Sequence, residues 1–196
     1  MKRENLAAVF FAAVAMLAFA GSAGAVDGTI EINQAKVLAG SVFPYDISAS
    51  GSYRLTGNLT VSSTTADAID VSANNVSIDL NGFSITGPGT PSGNGIEGLV
   101  ANLTVENGTV TGLGSGTGIA TDVNGIVRNM RAIFNGVGIQ AANGSLISGN
   151  TINSNTTGIY CTSQCGFVGN ALVGDTTYIT AAVKSMGNNI CNGAPC

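Results

Sequence analysis

An isoleucine recurs every 20 residues through the second half of the chain, preceded by glycine or, in the last case, by tyrosine. The pairs are Gly118-Ile119, Gly138-Ile139, Gly158-Ile159 and Tyr178-Ile179. The pattern continues toward the N-terminus at Gly95-Ile96 and Ala68-Ile69, with longer spacings of 23 and 27 residues. Because a fixed period indicates stacked structural repeats, we expect these segments to lie on top of one another.

Two further apolar columns keep the same period, and apolar and polar residues alternate around them. The columns are Val127, Ile147 and Phe167, and Ala132, Ile152 and Leu172. Alternation at every second residue predicts short strands rather than helices. The extra residues of the longer spacings fall in the glycine-rich stretches 87–93 and 112–116, where turns tolerate insertions.

These observations predict an all-β fold, a single-stranded right-handed parallel β-helix of about six coils. A unit of about 20 residues with three short strands cannot bury its own apolar face, so each unit pairs with the next at about 4.8 Å. Glycine and asparagine supply the left-handed corner conformations. Asn150 and Asn170 repeat one coil apart, and stacked asparagines satisfy corner backbone groups.

The chain divides into four predicted segments. Residues 1–25 have a basic start, an apolar run from Leu6 to Ala20 and a small-residue cleavage site at Ala23-Gly24-Ala25, as in a signal peptide, with an uncleaved anchor as the alternative. Residues 26–60 form a small N-terminal cap, expected as a strand leading into a short helix, and a first partial coil. Residues 61–190 form the β-helix, and 191–196 a C-terminal cap. No other stretch is long enough to span a membrane.

Composition excludes several function classes. The net charge of −4 leaves no basic stripe, so we expect no nucleic-acid partner. The absence of histidine excludes Ser-His-Asp and Cys-His catalytic arrangements and histidine-based metal sites.

All four cysteines lie in the last 36 residues: Cys161, Cys165, Cys191 and Cys196. Four cysteines allow three pairings, and proximity favours Cys161–Cys165 and Cys191–Cys196. We expect them to staple the C-terminal end in an oxidising compartment. A zinc site formed by the four thiolates is the alternative.

The segment from Val76 to Ile85 reads VSIDLNGFSI and resembles a coil found in bacterial right-handed parallel β-helix proteins of the pectin-lyase-like group, which includes NosD-like repeat proteins. Residues 28–35 and 51–56 are similar to the opening of exported members, most of which have no assigned function. The resemblance implies the fold and an exported location, in the periplasm, on the cell surface or outside the cell. It says little about activity, since characterised relatives include polysaccharide lyases, hydrolases and phage tailspikes.

The repeat register brings charged residues together. It places Asp70 beside Glu97 and Asp79 beside Glu106, with Arg128 on the following coil. Asp79, Glu106 and Arg128 are therefore the candidate catalytic set of a polysaccharide lyase or glycoside hydrolase. Stacked carboxylates either share a cation or raise a pKa, which makes Asp70 and Glu97 candidate ligands of a weak calcium site. We expect no other cofactor. Ordinary solvated surface charges and an exposed ion pair are the simpler interpretation.

Two functions compete on these residues. The favoured hypothesis is a non-enzymatic structural or carbohydrate-contacting module, in which Gln140 and Tyr160 continue the outward column of Asp70 and Glu97 as a sugar-facing strip. The alternative is an enzyme acting on an acidic polysaccharide. A threonine column suited to ice binding (Thr117, Thr157 and Thr177) is broken by Val137. The sequence does not determine the oligomeric state.

Overall fold

The computed structural model describes residues 28–40, 43–90 and 93–196, with the backbone alone at 181–183. The predicted signal peptide, residues 1–25, lies outside the described residues. Helix α1 spans Gln34–Ala39. In chain order the strands are β1 (Thr29–Ile32), β2 (Tyr45–Ile47), β3 (Gly51–Leu55), β4 (Leu59–Thr60), β5 (Ile69–Val71), β6 (Val76–Asp79), β7 (Ser84–Thr86), β8 (Ile96–Gly98), β9 (Thr104–Thr111), β10 (Thr117–Thr121), β11 (Ile126–Ile133), β12 (Val137–Ala141), β13 (Leu146–Ser148), β14 (Thr151–Asn153), β15 (Thr157–Val168), β16 (Ala171–Val173), β17 (Thr177–Ser185), β18 (Ile190–Cys191) and β19 (Ala194–Pro195).

These strands stack in three columns and form a parallel β-helix, which confirms the predicted fold. Face A consists of β2, β5, β8, β10, β12, β15 and β17. Face B consists of β1, β3, β6, β13 and parts of β9, β11, β15 and β17. Face C consists of β4, β7, β14, β16, β18 and the second halves of β9 and β11.

The β-helix has about seven turns, in agreement with the predicted six coils preceded by a first partial coil. The first coil begins at β2, where Tyr45 pairs with Ile69 and Ile47 with Val71. The first coil is therefore complete rather than partial. Tyr45 stands where later coils have isoleucine, and for that reason the isoleucine pattern does not detect this strand.

The recurring isoleucines form the predicted dry spine of the core. The side chains of Ile69, Ile96, Ile119, Ile139 and Ile159 are fully buried, and each pairs with the next along face A. Because the period is fixed, each coil buries its apolar positions against identical ones above and below.

Two columns of polar side chains are buried at the corners of the later coils. One contains Asn150, Asn170 and Asn189, and the other contains Asn135, Asn155 and Asp175. The Asn170 amide oxygen accepts hydrogen bonds from the Asn150 backbone N–H and side-chain amide, both at 3.0 Å. Its own amide nitrogen donates to the Ile147 carbonyl at 3.0 Å. Asparagine thus satisfies corner backbone groups, as predicted for Asn150 and Asn170.

The two ends have different covers. At the N-terminal end β1 leads into α1, whose N-cap residue Asn33 accepts a hydrogen bond from the Lys36 backbone N–H at 3.0 Å. This confirms the predicted strand and short helix between residues 28 and 40. At the C-terminal end β19 turns back and pairs antiparallel with β18.

Candidate functional site

Asp79 and Glu106 lie side by side on face B, where the repeat register predicts them. Asp79 on β6 pairs with Glu106 on β9, and Glu106 pairs with Arg128 on β11. Arg54 on β3 precedes Asp79 in the same column. Since neighbouring strands are about 4.8 Å apart, the column presents a basic, two acidic and a basic residue on successive coils.

Arg128 and Glu106 form a direct ion pair. Arg128 Nε donates to Glu106 Oε2 at 2.6 Å, and the two side chains are 50% and 17% exposed. The hydrogen bond and negative charge of Glu106 raise the pKa of Arg128. A catalytic base must lose its proton, so this contact makes Arg128 a poorer base. The three residues of the expected set are neighbours on face B, and their catalytic role stays a prediction.

Asp79 also holds a corner of the backbone. Its Oδ1 accepts hydrogen bonds from the Asn81 backbone N–H at 2.8 Å and from the Asn107 side-chain amide at 3.2 Å. The carboxylate is half-buried on β6.

A shallow groove of about 310 Å³ contains this carboxylate pair, and we call it the polar groove. It is lined by Thr29, Ser52, Tyr53, Arg54, Ser77, Asp79 and Glu106. The hydroxyls of Thr29, Ser52 and Ser77 stack in register on successive coils. The groove therefore presents a hydroxyl column beside a charged column.

Sequence reasoning missed the hydroxyl column and Arg54, although the chain carries a signal for them. A tripeptide of hydroxyl, apolar and charged residues recurs on face B as Thr29-Ile30-Glu31, Ser52-Tyr53-Arg54, Ser77-Ile78-Asp79 and Thr104-Val105-Glu106. In a strand the first and third residues point to the same side. Recurrence of this tripeptide would have predicted two outward polar columns.

A second acidic group lies on face A and is larger than predicted. Asp70 pairs with Glu97, and Asp46 precedes Asp70 in the same column. Desolvation raises the pKa of Asp70, followed by the negative charges of Asp46 and Asp67. Desolvation also raises the pKa of Glu97, together with a hydrogen bond to Asp67. These carboxyl groups retain protons more strongly than isolated ones.

Within the described ranges, no group of three or more His, Cys, Asp or Glu side chains is arranged to hold a metal ion. A calcium ion at Asp70 and Glu97 would therefore need amide, backbone or water oxygens as its other ligands. Calcium binds the ionised form, so it would have to displace any proton that these carboxyl groups hold, and the pKa of both is raised. Calcium binding at this position stays a prediction.

Gln140 and Tyr160 are neighbours in the outward column of face A, as predicted. Ala120 lies between Glu97 and Gln140 in that column. The expected sugar-facing strip is thus interrupted, with acids before Ala120 and neutral polar groups after it. Tyr160 is 37% exposed, which leaves part of its ring available for stacking.

The four cysteines form the two favoured disulfides, Cys161–Cys165 and Cys191–Cys196, so no thiol is left to bind zinc. Only Cys191–Cys196 staples the end of the chain. Cys161 and Cys165 of β15 are buried in the core of the β-helix, and β17 stacks over them. This disulfide closes an internal corner at the place that Ala141 and Ser145 occupy one coil earlier.

Comparisons of the chain with protein families, with curated proteins and with solved structures find no match. Over the described residues, no helix has the length and apolar character that crossing a bilayer requires.

Proposed function

We propose that this protein is an exported, non-enzymatic β-helix that contacts carbohydrate through the polar groove. The observation that carries the proposal is the pairing of stacked hydroxyls with Arg54, Asp79 and Glu106 in one groove. Sugar hydroxyls both donate and accept hydrogen bonds. Carboxylates accept such bonds, guanidinium donates them, and serine and threonine do both.

The stacked coils support binding without large rearrangement. Apart from Thr29 on β1, each lining residue lies on a strand paired on both sides, as Ser77 is between Ser52 and Thr104. Groups held in place before binding cost less ordering entropy when the ligand arrives. The smaller entropy loss of a rigid groove therefore offsets the few contacts that a small groove can make.

The Arg128–Glu106 ion pair favours binding over catalysis. A lyase needs a base that gives up its proton, and the contact with Glu106 raises the pKa of Arg128. The charge of the lining also disfavours an acidic polysaccharide, because Asp79 and Glu106 outnumber Arg54. Neutral and amino sugars are the ligand classes that suit this groove. The two disulfides support export, since such bonds persist in oxidising compartments.

Binding to a glycan array followed by calorimetric titration tests the proposal. Glu106→Gln should weaken binding of the best neutral or amino-sugar oligosaccharide by about tenfold or more, as expected for loss of a charged acceptor. Glu97→Gln makes the same chemical change on face A, outside the groove, and should leave affinity unchanged. Circular dichroism verifies that both variants fold.

Three outcomes would contradict the proposal. Equal weakening by Glu106→Gln and Glu97→Gln would point to a general charge effect rather than groove contacts. Release of unsaturated products from acidic polysaccharides, lost in Arg128→Ala, would favour a lyase. An array without any bound glycan would leave a purely structural role.

A further inference from the structure

The two outward columns of face B change in character between the early and the late coils. On the early coils one column holds hydroxyls as far as Thr104, and the other holds charged residues as far as Arg128. On the later coils the first column continues with Ile126, Leu146 and Gly166, and the second with Ser148 and Val168. The same face therefore has a polar half followed by a largely apolar half.

Met186 of the last coil completes the apolar half. We call Ile126, Leu146, Gly166, Val168 and Met186 the apolar strip. The Met186 backbone N–H donates to the Phe167 carbonyl at 2.9 Å, which places Met186 next to Val168. Met186 is 61% exposed, and a Cβ on Gly166 would lie 2.7 Å from its Sδ and 3.9 Å from Leu146 Cδ1. Because glycine leaves this space open, the Met186 side chain lies across the face and reaches the column of Leu146.

A groove of about 610 Å³ lies at the late end of the apolar strip. Its described lining is Gln164, Cys165, Gly166, Lys184 and Met186. Lys184 is the one charged residue of this described lining. A lysine can contact an apolar ligand through its methylene groups while its ammonium stays in water. The late half of face B thus offers a surface for an apolar group, as the early half offers one for a polar group.

The dimensions of the apolar strip suit a single hydrocarbon chain. From Ile126 to Met186 the strip covers three coil spacings of about 4.8 Å, or about 14 Å. The hydrocarbon core of a bilayer is about 30 Å thick, so one lipid chain covers about 15 Å. The strip is two side-chain columns wide, and Ser148 interrupts one of them. A single chain fits such a strip, whereas a bilayer surface needs a broader apolar area.

The apolar strip begins where the polar groove ends, without a corner between them. Glu106 lines the groove, and Ile126 pairs with Thr104 on the same strand as Glu106. A ligand with its sugar in the groove can therefore continue along the strip in a straight line. A molecule that uses both halves of face B has a sugar head and a hydrocarbon tail.

We propose that face B binds a glycolipid, with a neutral or amino-sugar head in the polar groove and one hydrocarbon chain along the apolar strip. This inference rests on the proposed carbohydrate binding and adds the class of ligand. The chain makes contacts that a free sugar does not make, so it should raise the affinity, because burial of each methylene group is favourable.

Titration calorimetry on the protein with both disulfides formed tests the inference, with dodecyl maltoside below its micelle-forming concentration and with maltose. Dodecyl maltoside should bind at least about 100-fold more tightly than maltose, because its chain leaves water on binding. Flotation with phosphatidylcholine vesicles, which present a membrane surface without sugar, should leave the protein unbound.

Leu146→Ser removes an apolar contact in the middle of the strip. It should weaken binding of dodecyl maltoside by about tenfold and leave the affinity for maltose unchanged. Ile133→Ser is the matched control, since Ile133 is a half-buried apolar residue of face C, and it should change neither affinity. Val168→Ser is a second variant of the strip, with the result expected for Leu146→Ser. Circular dichroism verifies that each variant folds.

Equal affinity for dodecyl maltoside and maltose would overturn the inference and leave the proposed sugar binding intact, as would equal weakening by Leu146→Ser and Ile133→Ser. Glu106→Gln separates the two proposals, since it should weaken binding of both ligands by about tenfold. Binding of dodecyl maltoside that depends on Leu146 and not on Glu106 would contradict sugar binding in the groove, and the glycolipid with it. Binding to the sugar-free vesicles would overturn the inference in favour of a membrane surface.

Discussion

The early and late coils use side chains to support the backbone in opposite directions. In the early coils a backbone N–H donates to a side chain of the coil before it: Thr60 to Gln34, Ser84 to Asn58, Asn94 to Asp67, Ala101 to Asn74 and Thr117 to Asn94. In the late coils the acceptor lies on the following coil: Leu113 to Asn135, Gly125 to Ser145, Met130 to Asn150, Asn135 to Asn155, Asn150 to Asn170, Asn155 to Asp175 and Asn170 to Asn189.

The two directions meet at residues 113–117. Leu113 donates to a later side chain and Thr117 to an earlier one. On the early side most of these bonds are exposed or half-buried, and on the late side they are buried. The distribution of acidic side chains changes at nearly the same place. All described Asp and Glu residues except Asp175 precede residue 125.

This contrast separates the proposed sugar-binding surface from the most regular part of the fold. The early coils vary in length, with 27 and 23 residues between successive spine isoleucines, and they carry the acids and the polar groove. The late coils keep a period of 20 residues, the buried asparagine columns and the internal disulfide. Regular spacing permits buried ladders, and irregular spacing leaves surface for function.

The largest effect should follow from removing one rung of a buried ladder. Asn155→Ala leaves the Asn135 N–H and the Ala132 carbonyl without their partner, at 3.0 Å each in the native protein. Each unsatisfied buried group costs about 1–3 kcal/mol, so we expect a loss of about 3 kcal/mol or more in the free energy of unfolding, measured by denaturant titration.

Asn58→Ala is the matched control on an early coil. It removes an exposed bond to the Ser84 N–H at 2.9 Å, which water replaces. We expect a loss below about 1 kcal/mol. Equal losses in the two variants would show that the early and late ladders do not differ in energy.

A smaller loss is expected from opening the internal disulfide. The double variant Cys161→Ala and Cys165→Ser installs the residues found one coil earlier, Ala141 and Ser145. Loss of the short closed loop should cost about 2 kcal/mol by the chain-entropy estimate. Adding reductant should lower the free energy of unfolding of the native protein. In the double variant it should leave the stability of the late coils unchanged. No change in the double variant would mean that the asparagine columns alone hold this corner.

The smallest expected effect has the opposite sign. Asp175 ends a ladder, and its buried Oδ2 has no hydrogen-bond partner among the described residues. In Asn155 the corresponding amide nitrogen donates to a backbone carbonyl at 3.0 Å. Asp175→Asn should supply the same donor and stabilise the protein at neutral pH by about 1 kcal/mol.

The pH dependence of stability tests whether the buried Asp175 carboxyl is the cause of this difference. Burial raises the pKa of Asp175 above its ordinary value of 3.8. The folded state then holds the proton more tightly, so the stability of the native protein falls as the pH rises through the interval between 3.8 and the raised value. The variant should show a smaller fall, and the raised pKa of Asp70 and Glu97 accounts for the remainder. Asp122→Asn, between β10 and β11, is the control and should keep the full fall.

The spine, the cysteine pairing and the carboxylate stacking were predictable because each depends on sequence spacing alone. In a parallel β-helix residues one period apart become neighbours, so Asp79 and Glu106 follow directly from the alignment of Ile69 and Ile96. Strand β2 of the first coil was not predicted, because Tyr45 replaces isoleucine in the spine.

The repeat pattern could not predict contacts made by residues outside the strands. Asp67 lies between strands, where no period defines its position, and it reaches Glu97 through local loop geometry. Protonation states also depend on burial and on neighbouring charges in three dimensions. For this reason the stacking of Arg128 on Glu106 was predictable, and the direction in which Glu106 shifts the pKa of Arg128 was not.

The repeating asparagine rungs make the late half modular. Asn150 and Asn170 offer the same bonds upward and downward, as does Asn155 toward both of its neighbours. A duplicated stretch of 20 residues therefore brings its own partners and finds matching ones on each side. The rod can grow by whole coils in this half, about 4.8 Å at a time, without altering either end or the groove.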